Sequence, residues 1–181
     1  MEKKLLAMIV TGLMAAGTIS LVQAADVTVP GGTVKFEGQV VNAACVVSAD
    51  TRDQTVILSQ VKSTKFKAAG DVGNQKEDFD IMLEDCDTSV STNAAVIFNG
   101  QSDAAKADTL ANTAGAGAAS GVALQLYGPD GKALPLGTAS STIPLVNGEN
   151  RLPLSVDYIA TAATVTTGNV SSIATFNMVY S

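Results

Sequence analysis

The stretch Asp78-Phe79-Asp80-Ile81-Met82-Leu83-Glu84-Asp85-Cys86-Asp87 decides how this chain is read. Phe79, Ile81 and Leu83 recur at every second position, with Asp78, Asp80, Met82 and Glu84 between them. Successive side chains of a strand point to opposite faces, so a period of two predicts a half-buried strand that carries Cys86 toward the core. Upstream, Val41, Ala43, Cys45 and Val47 supply a matching face on an earlier strand. Alternation returns over residues 54–59, 94–99, 122–127, 150–159 and 172–180, whereas helical periodicity is scarce. Gly128-Pro129-Asp130-Gly131 marks a turn.

Composition agrees with many thin strands joined by turns. The chain has 181 residues, room for one ordinary domain, with 46% hydrophobic and only 4% aromatic residues. It holds neither His nor Trp, which removes the imidazole of most zinc and copper sites and of Ser-His or Cys-His catalytic pairs. A net charge of −6 has the wrong sign for a phosphate-backbone partner, so nucleic acid is excluded.

Residues 1–24 read as a secretory signal peptide. Lys3 and Lys4 precede an apolar run from Leu5 to Val22, and Val22-Gln23-Ala24 places cleavage between Ala24 and Ala25. The alternative, a membrane anchor, is disfavoured by Thr11, Gly12, Gly17, Thr18 and Ser20 and by the lack of a basic stop-transfer flank. Loss of Glu2, Lys3 and Lys4 moves the net charge from −6 to −7. Export makes the two cysteines legible: Cys45 and Cys86 are expected to pair in an oxidising compartment, two buried thiols being the other reading. The sequence has no CxxC motif to suggest a redox pair or zinc knuckle.

Residues 101–121 are dominated by Ala, Gly, Ser, Thr and Asn, with Leu110 the one large side chain. They predict a surface loop with a helical turn over 103–110. Short strands, one inter-strand disulfide and secretion favour an all-β, immunoglobulin-like sandwich without the buried Trp of antibody-type domains.

The two ends carry an unusual pattern. Phe176, Met178 and Tyr180 share one face of a strand that runs to the last residues. Near the other end Val27 and Val29 alternate in one phase and Val34 and Phe36 in the other, with Pro30-Gly31-Gly32 between them. Such a segment can add itself to an open sheet edge.

Taken together, these motifs resemble the major structural subunits of type 1 fimbriae, built by the chaperone-usher pathway. The resemblance spans essentially the whole mature chain. It rests on Gly31-Gly32-Thr33-Val34-Lys35-Phe36-Glu37-Gly38, Val40-Val41-Asn42-Ala43-Ala44-Cys45, Asp53-Gln54-Thr55-Val56 and residues 79–87, together with Gly168, fourteenth from the C-terminus, and the penultimate Tyr180. Pro30 departs from the small polar residue expected at its position.

The resemblance implies an immunoglobulin-like sandwich that lacks its last strand and is completed by a donor strand from a neighbouring subunit. Residues 25–37 would be the donor arm, with Val27, Val29, Gly31, Gly32, Val34 and Phe36 as its donor residues, and 38–181 the pilin domain. Gly168, Phe176, Met178 and Tyr180 would form the acceptor groove and contact the chaperone. It further implies head-to-tail polymerisation of identical subunits, a periplasmic chaperone and an outer-membrane usher as partners, export to the cell surface and a role in adhesion. No cofactor, metal, small-molecule substrate or catalysis is implied. A minor or adaptor subunit is the alternative, while a tip adhesin would need a further lectin domain. An enzyme or calcium site would rest on Asp78, Asp80, Glu84, Asp85 and Asp87, which strand alternation explains as a solvated face and a turn.

Overall fold

The computed structural model describes residues 28–38, 40 and 43–181. The expected signal segment with its Ala24 and Ala25 junction, Val27 of the arm, and Val41 lie outside the described residues. The chain divides into two units, Met1–Gln39 and Val40–Ser181.

The regular structure of the second unit is nearly all strand. In chain order its strands are β1 (Val46–Val47), β2 (Glu77–Cys86), β3 (Asn93–Gly100), β4 (Leu110–Ala111), β5 (Val122–Tyr127), β6 (Ala133–Leu134), β7 (Ile143–Pro144), β8 (Gly148–Ala160) and β9 (Ala174–Tyr180). A short helix, α1 (Ala49–Arg52), follows β1. One sheet has the order β1-β2-β8-β5-β4, with β6 added on β5, and the other has the order β7-β3-β9. Every named pairing is antiparallel.

Alternation builds the core. Ile81 and Leu83 of β2, Leu124 and Leu126 of β5, and Leu152, Leu154 and Val156 of β8 are buried on one face of the larger sheet. They meet Ala94, Val96 and Phe98 of β3. Phe79 and Phe98 join the two layers edge to face, 6.3 Å between ring centroids. This is a β-sandwich closed over one apolar layer. Pro153 sits inside the central strand β8, opposite Asp80 and below the point where β5 pairing begins at Ser155, so its missing N–H removes no bond to β5.

The disulfide Cys45–Cys86 is present and closes a separation of 41 residues. Strict alternation from Phe79 puts Asp85, not Cys86, in phase with Leu83. A register shift between Leu83 and Cys86, with Asp85 at φ 51°, reverses the phase and turns Cys86 inward. The face expected from Ala43 is corrected in the same region: Ala43 is exposed and Ala44 is buried, because residues 43–45 bend before β1 begins.

Two further expectations change. Residues 103–110 form no helical turn. Asp103 instead accepts the amide hydrogens of Ala105 and Lys106, and Thr109 N donates to Lys106 O, an aspartate-built turn that delivers Leu110 to the core. Residues 54–59 form no strand, since none of the backbone bonds outside the strands involves residues 54–61. The turn at 128–131 is present, with Gly131 N donating to Gly128 O and Gly128 N to Lys132 O.

Closing a loop of 41 residues restricts the unfolded chain by about 4 kcal/mol. Replacing both Cys45 and Cys86 by Ser is therefore expected to lower unfolding free energy by about that amount. A denaturant titration checks this, and an unchanged midpoint and slope would contradict it.

Candidate functional site

The segment that fails to become a strand borders a wide groove. Val56 and Leu58 pack against the core while Ile57 between them is 78% exposed, so residues 56–58 keep a strand's alternation without a strand's ladder. The segment is tied to β2 through side chains, Gln54 Nε2 donating to Asp80 O and Ser59 N to Glu77 Oε1. Opposite it stand residues 170–176, which lead into β9. Between these two walls runs a groove of about 1070 Å³. Its floor is apolar, lined by Phe79, Leu124, Leu126 and Val156 of the larger sheet and by Phe98 of the smaller.

The smaller sheet ends at β9, which pairs with β3 and has no second neighbour in the sheet order. Ala174, Phe176, Met178 and Tyr180 point inward but are only half-buried, whereas the matching β3 residues Ala94, Val96 and Phe98 are fully buried. A sandwich face is left partly uncovered along this edge. Ser172 lines the groove with a buried Oγ that has no hydrogen-bond partner among the described residues. A backbone laid along the wall could supply one.

The expected groove residues divide between several positions. Phe176 forms part of the groove wall. Met178 and Tyr180 continue the same face beyond it and pack on the core, and the Tyr180 hydroxyl donates to Cys45 O at 3.3 Å. Gly168 lines a second cavity of about 330 Å³ that shares Tyr158 and Val170 with the groove. A Cβ there would sit 2.4 Å from Ala119 N, so only glycine allows Asn169 N to donate to Gly117 O and Ala119 N to Asn169 O. In the first unit Gly31, Gly32, Val34 and Phe36 are exposed, as is Val29, and Gly32 has φ 139°. Lys35 Nζ bonds Glu37 Oε1 at 2.8 Å, leaving Val34 and Phe36 to the alternate positions of an amphipathic segment.

Sequence reasoning missed the wall at 53–58 as part of the site. The Val56/Leu58 alternation was its signal, but alternation alone does not say whether a ladder forms. Of the acidic residues, Asp80 pairs with Arg151 at 3.0 Å, and the Ser89 hydroxyl, followed by Ser89 N donating to Asp87 Oδ1, holds the Asp87 carboxyl below its usual range.

The model of the family described as "Fimbrial protein" matches residues 34–181. The chain belongs to the fimbrial protein family. It is 41% identical over 182 residues to the type-1 fimbrial protein C chain of Escherichia coli, covering 99% of both. It is also 41% identical over 185 residues to the type-1 fimbrial protein A chain of that organism, covering 99% of this chain and 100% of the relative. A chaperone-usher pilus whose structure explains rod uncoiling matches with a TM-score of 0.68 at 27% identity, over 87% of this chain and all of the other. The fold is accordingly the incomplete immunoglobulin-like sandwich of fimbrial subunits, and the role is structural, not enzymatic.

All three tyrosines of this fimbrial subunit are held above the ordinary phenol range. Burial is the first cause for Tyr127, Tyr158 and Tyr180, and the Asp157 carboxylate adds to it for the first two. Burial favours the neutral phenol, so this part of the stability is complete below about pH 10 and is lost as pH rises through the higher folded values. In an alkaline titration tyrosinate absorbance is expected to emerge later in the folded chain than in the unfolded one. Coincident curves would contradict the burial of these rings.

Proposed function

We propose that the chain polymerises head to tail by donor-strand exchange, its N-terminal arm filling the groove of the preceding copy to build the shaft of a type 1-like fimbrium. The observation that carries this reading is the presence in one chain of an apolar groove bordered by residues 53–58 and β9 and of an exposed amphipathic arm. An arm strand entering the groove pairs with the free edge of β9 and sets its apolar side chains on the floor. Val27, Val29, Val34 and Phe36 would each contribute about 1.5–3 kcal/mol on burial, of the order of 10 kcal/mol gross before ordering costs. Gly31 and Gly32 let the backbone approach where the phase changes.

One groove and one arm per subunit make a contact that does not close, which generates an open filament. Before assembly the same groove needs a temporary occupant, since an uncovered apolar floor and a free edge invite aggregation. A periplasmic chaperone that lends a strand, with β9 and its Phe176, Met178 and Tyr180 as the surface it reads, meets that need. An outer-membrane usher then exchanges the lent strand for the arm. In this reading the chain is exported through the periplasm after cleavage between Ala24 and Ala25, with Gly168 keeping the far end of the trough open. The fimbrium stands on the cell surface and supports adhesion.

Deleting residues 25–36 is expected to leave a folded subunit that forms no SDS-resistant ladder, and Phe36→Asp to reduce the ladder severalfold. Gel electrophoresis with and without strong heating reads both. Polymers formed by the deletion would refute the donor assignment.

A further inference from the structure

Two groups of exposed charges outside the ion pairs stand at opposite ends of the sandwich. At one end lie Lys62, Lys65 and Lys67, exposed and outside the four ion pairs of the described residues. Ser63 and Phe66, interleaved with them, line the smaller cavity. The following loop is bound to the end of β8 by Gly70 N donating to Ala160 O and Gly73 N to Tyr158 O, both at 2.8 Å. Of the carboxylates in this region, Asp71 is engaged by the amide hydrogens of Lys67 and Ala68 at 2.6 and 2.9 Å, Glu77 accepts Ser59 N, and Asp157 is buried.

At the opposite end, where Cys86 pairs with Gly148, lie Glu84, Asp85, Asp87 and Glu149. They too are exposed and outside those ion pairs. Arg52 on the adjoining α1 is a cation on this side, and its Nε donates to Val47 O. The 13 residues of β8 separate the two poles by roughly 40 Å at about 3.3 Å per residue.

The poles coincide with the two ends of the assembly path. The arm joins its own sandwich through Cys45, which is bonded to Cys86 at the acidic end. β9 runs from Ala174, next to the groove wall, to Tyr180, whose hydroxyl reaches Cys45 O. A donor strand lying antiparallel to β9 leaves the groove at the basic end and passes into the acidic end of the copy it belongs to. A parallel donor would bring two acidic ends together.

We propose that Lys62, Lys65 and Lys67 of one copy and Glu84, Asp85, Asp87 and Glu149 of the next form a charge-paired junction outside the groove, which steers docking and favours the antiparallel sense of insertion. The partner is a second copy of this chain, and the proposal rests on the donor-strand reading above. Exposed charges of this kind act mainly on the encounter rate, and salt screens them over about 10 Å at 0.1 M.

The test uses the full mature chain and the time course of SDS-resistant ladders at low and high salt. Reversing the basic pole (Lys62→Glu, Lys65→Glu, Lys67→Glu) or the acidic pole (Glu84→Lys, Asp87→Lys, Glu149→Lys, which outweigh Asp85) is expected to slow assembly about tenfold at low salt, a difference that vanishes at high salt. An equimolar mixture of the two variants restores opposite charges at every alternating junction and is expected to recover the wild-type rate, which also shows that both variants fold. Variants that assemble at the wild-type rate, or a mixture no faster than its components, would overturn the junction while leaving the donor-strand reading intact. A wild-type ladder that survives removal of residues 25–36 would overturn that reading and the junction with it.

Discussion

An unpaired strand edge beside an apolar floor is the constraint on which the rest of this molecule depends. Among the described residues β9 has a neighbour on one side only, and the segment across the groove from it keeps the alternation of a strand while forming no ladder. In water each unpaired backbone group can be solvated, but the Phe79, Phe98 and Leu124 floor cannot be covered that way. The sandwich is therefore satisfied by one more strand, which in the proposed reading is the amphipathic arm of another copy.

Other features hold the groove open. The disulfide fixes the start of β1 against the end of β2, and the phase reversal at Asp85 makes that bond reachable from a buried strand. Ser48 N donates to Met82 O of β2 at 3.0 Å and Thr51 Oγ1 to the same oxygen at 3.4 Å, which keeps α1 on the sheet just where the wall begins. At the other end Gly168 allows two backbones to touch, which sets the floor of the second cavity. Stability and incompleteness are thus located in different places: the paired strands β2, β8 and β5 form the rigid part, and the wall at 53–58 with β9 forms the receptive part.

Much of this was legible in the sequence. Residues 122–127 are the observed β5 without change, and Ile81, Leu83, Phe98 and Phe176 face the way their alternation says. Local pattern failed where a long-range partner decides the outcome. Residues 54–59 have the pattern of a strand, yet a strand needs a ladder partner, and β2 reaches this segment only through side chains. Asp157 alternates as an outward residue but is 1% exposed, because its Oδ1 collects the amide hydrogens of Gln75 and Tyr158. Cys86 was placed correctly for a reason alternation does not contain, the bulge at Asp85. The charge poles are invisible in sequence because Glu84 and Glu149 come to one end only through the β2 and β8 pairing.

The most direct measurement is hydrogen exchange of the mature chain lacking residues 25–36, with and without a peptide of those residues. The account predicts that the peptide slows exchange at the free edge of β9 and in residues 54–58, and leaves β2, β5 and β8 unchanged. Bound peptide with no added protection at either wall of the groove would contradict it.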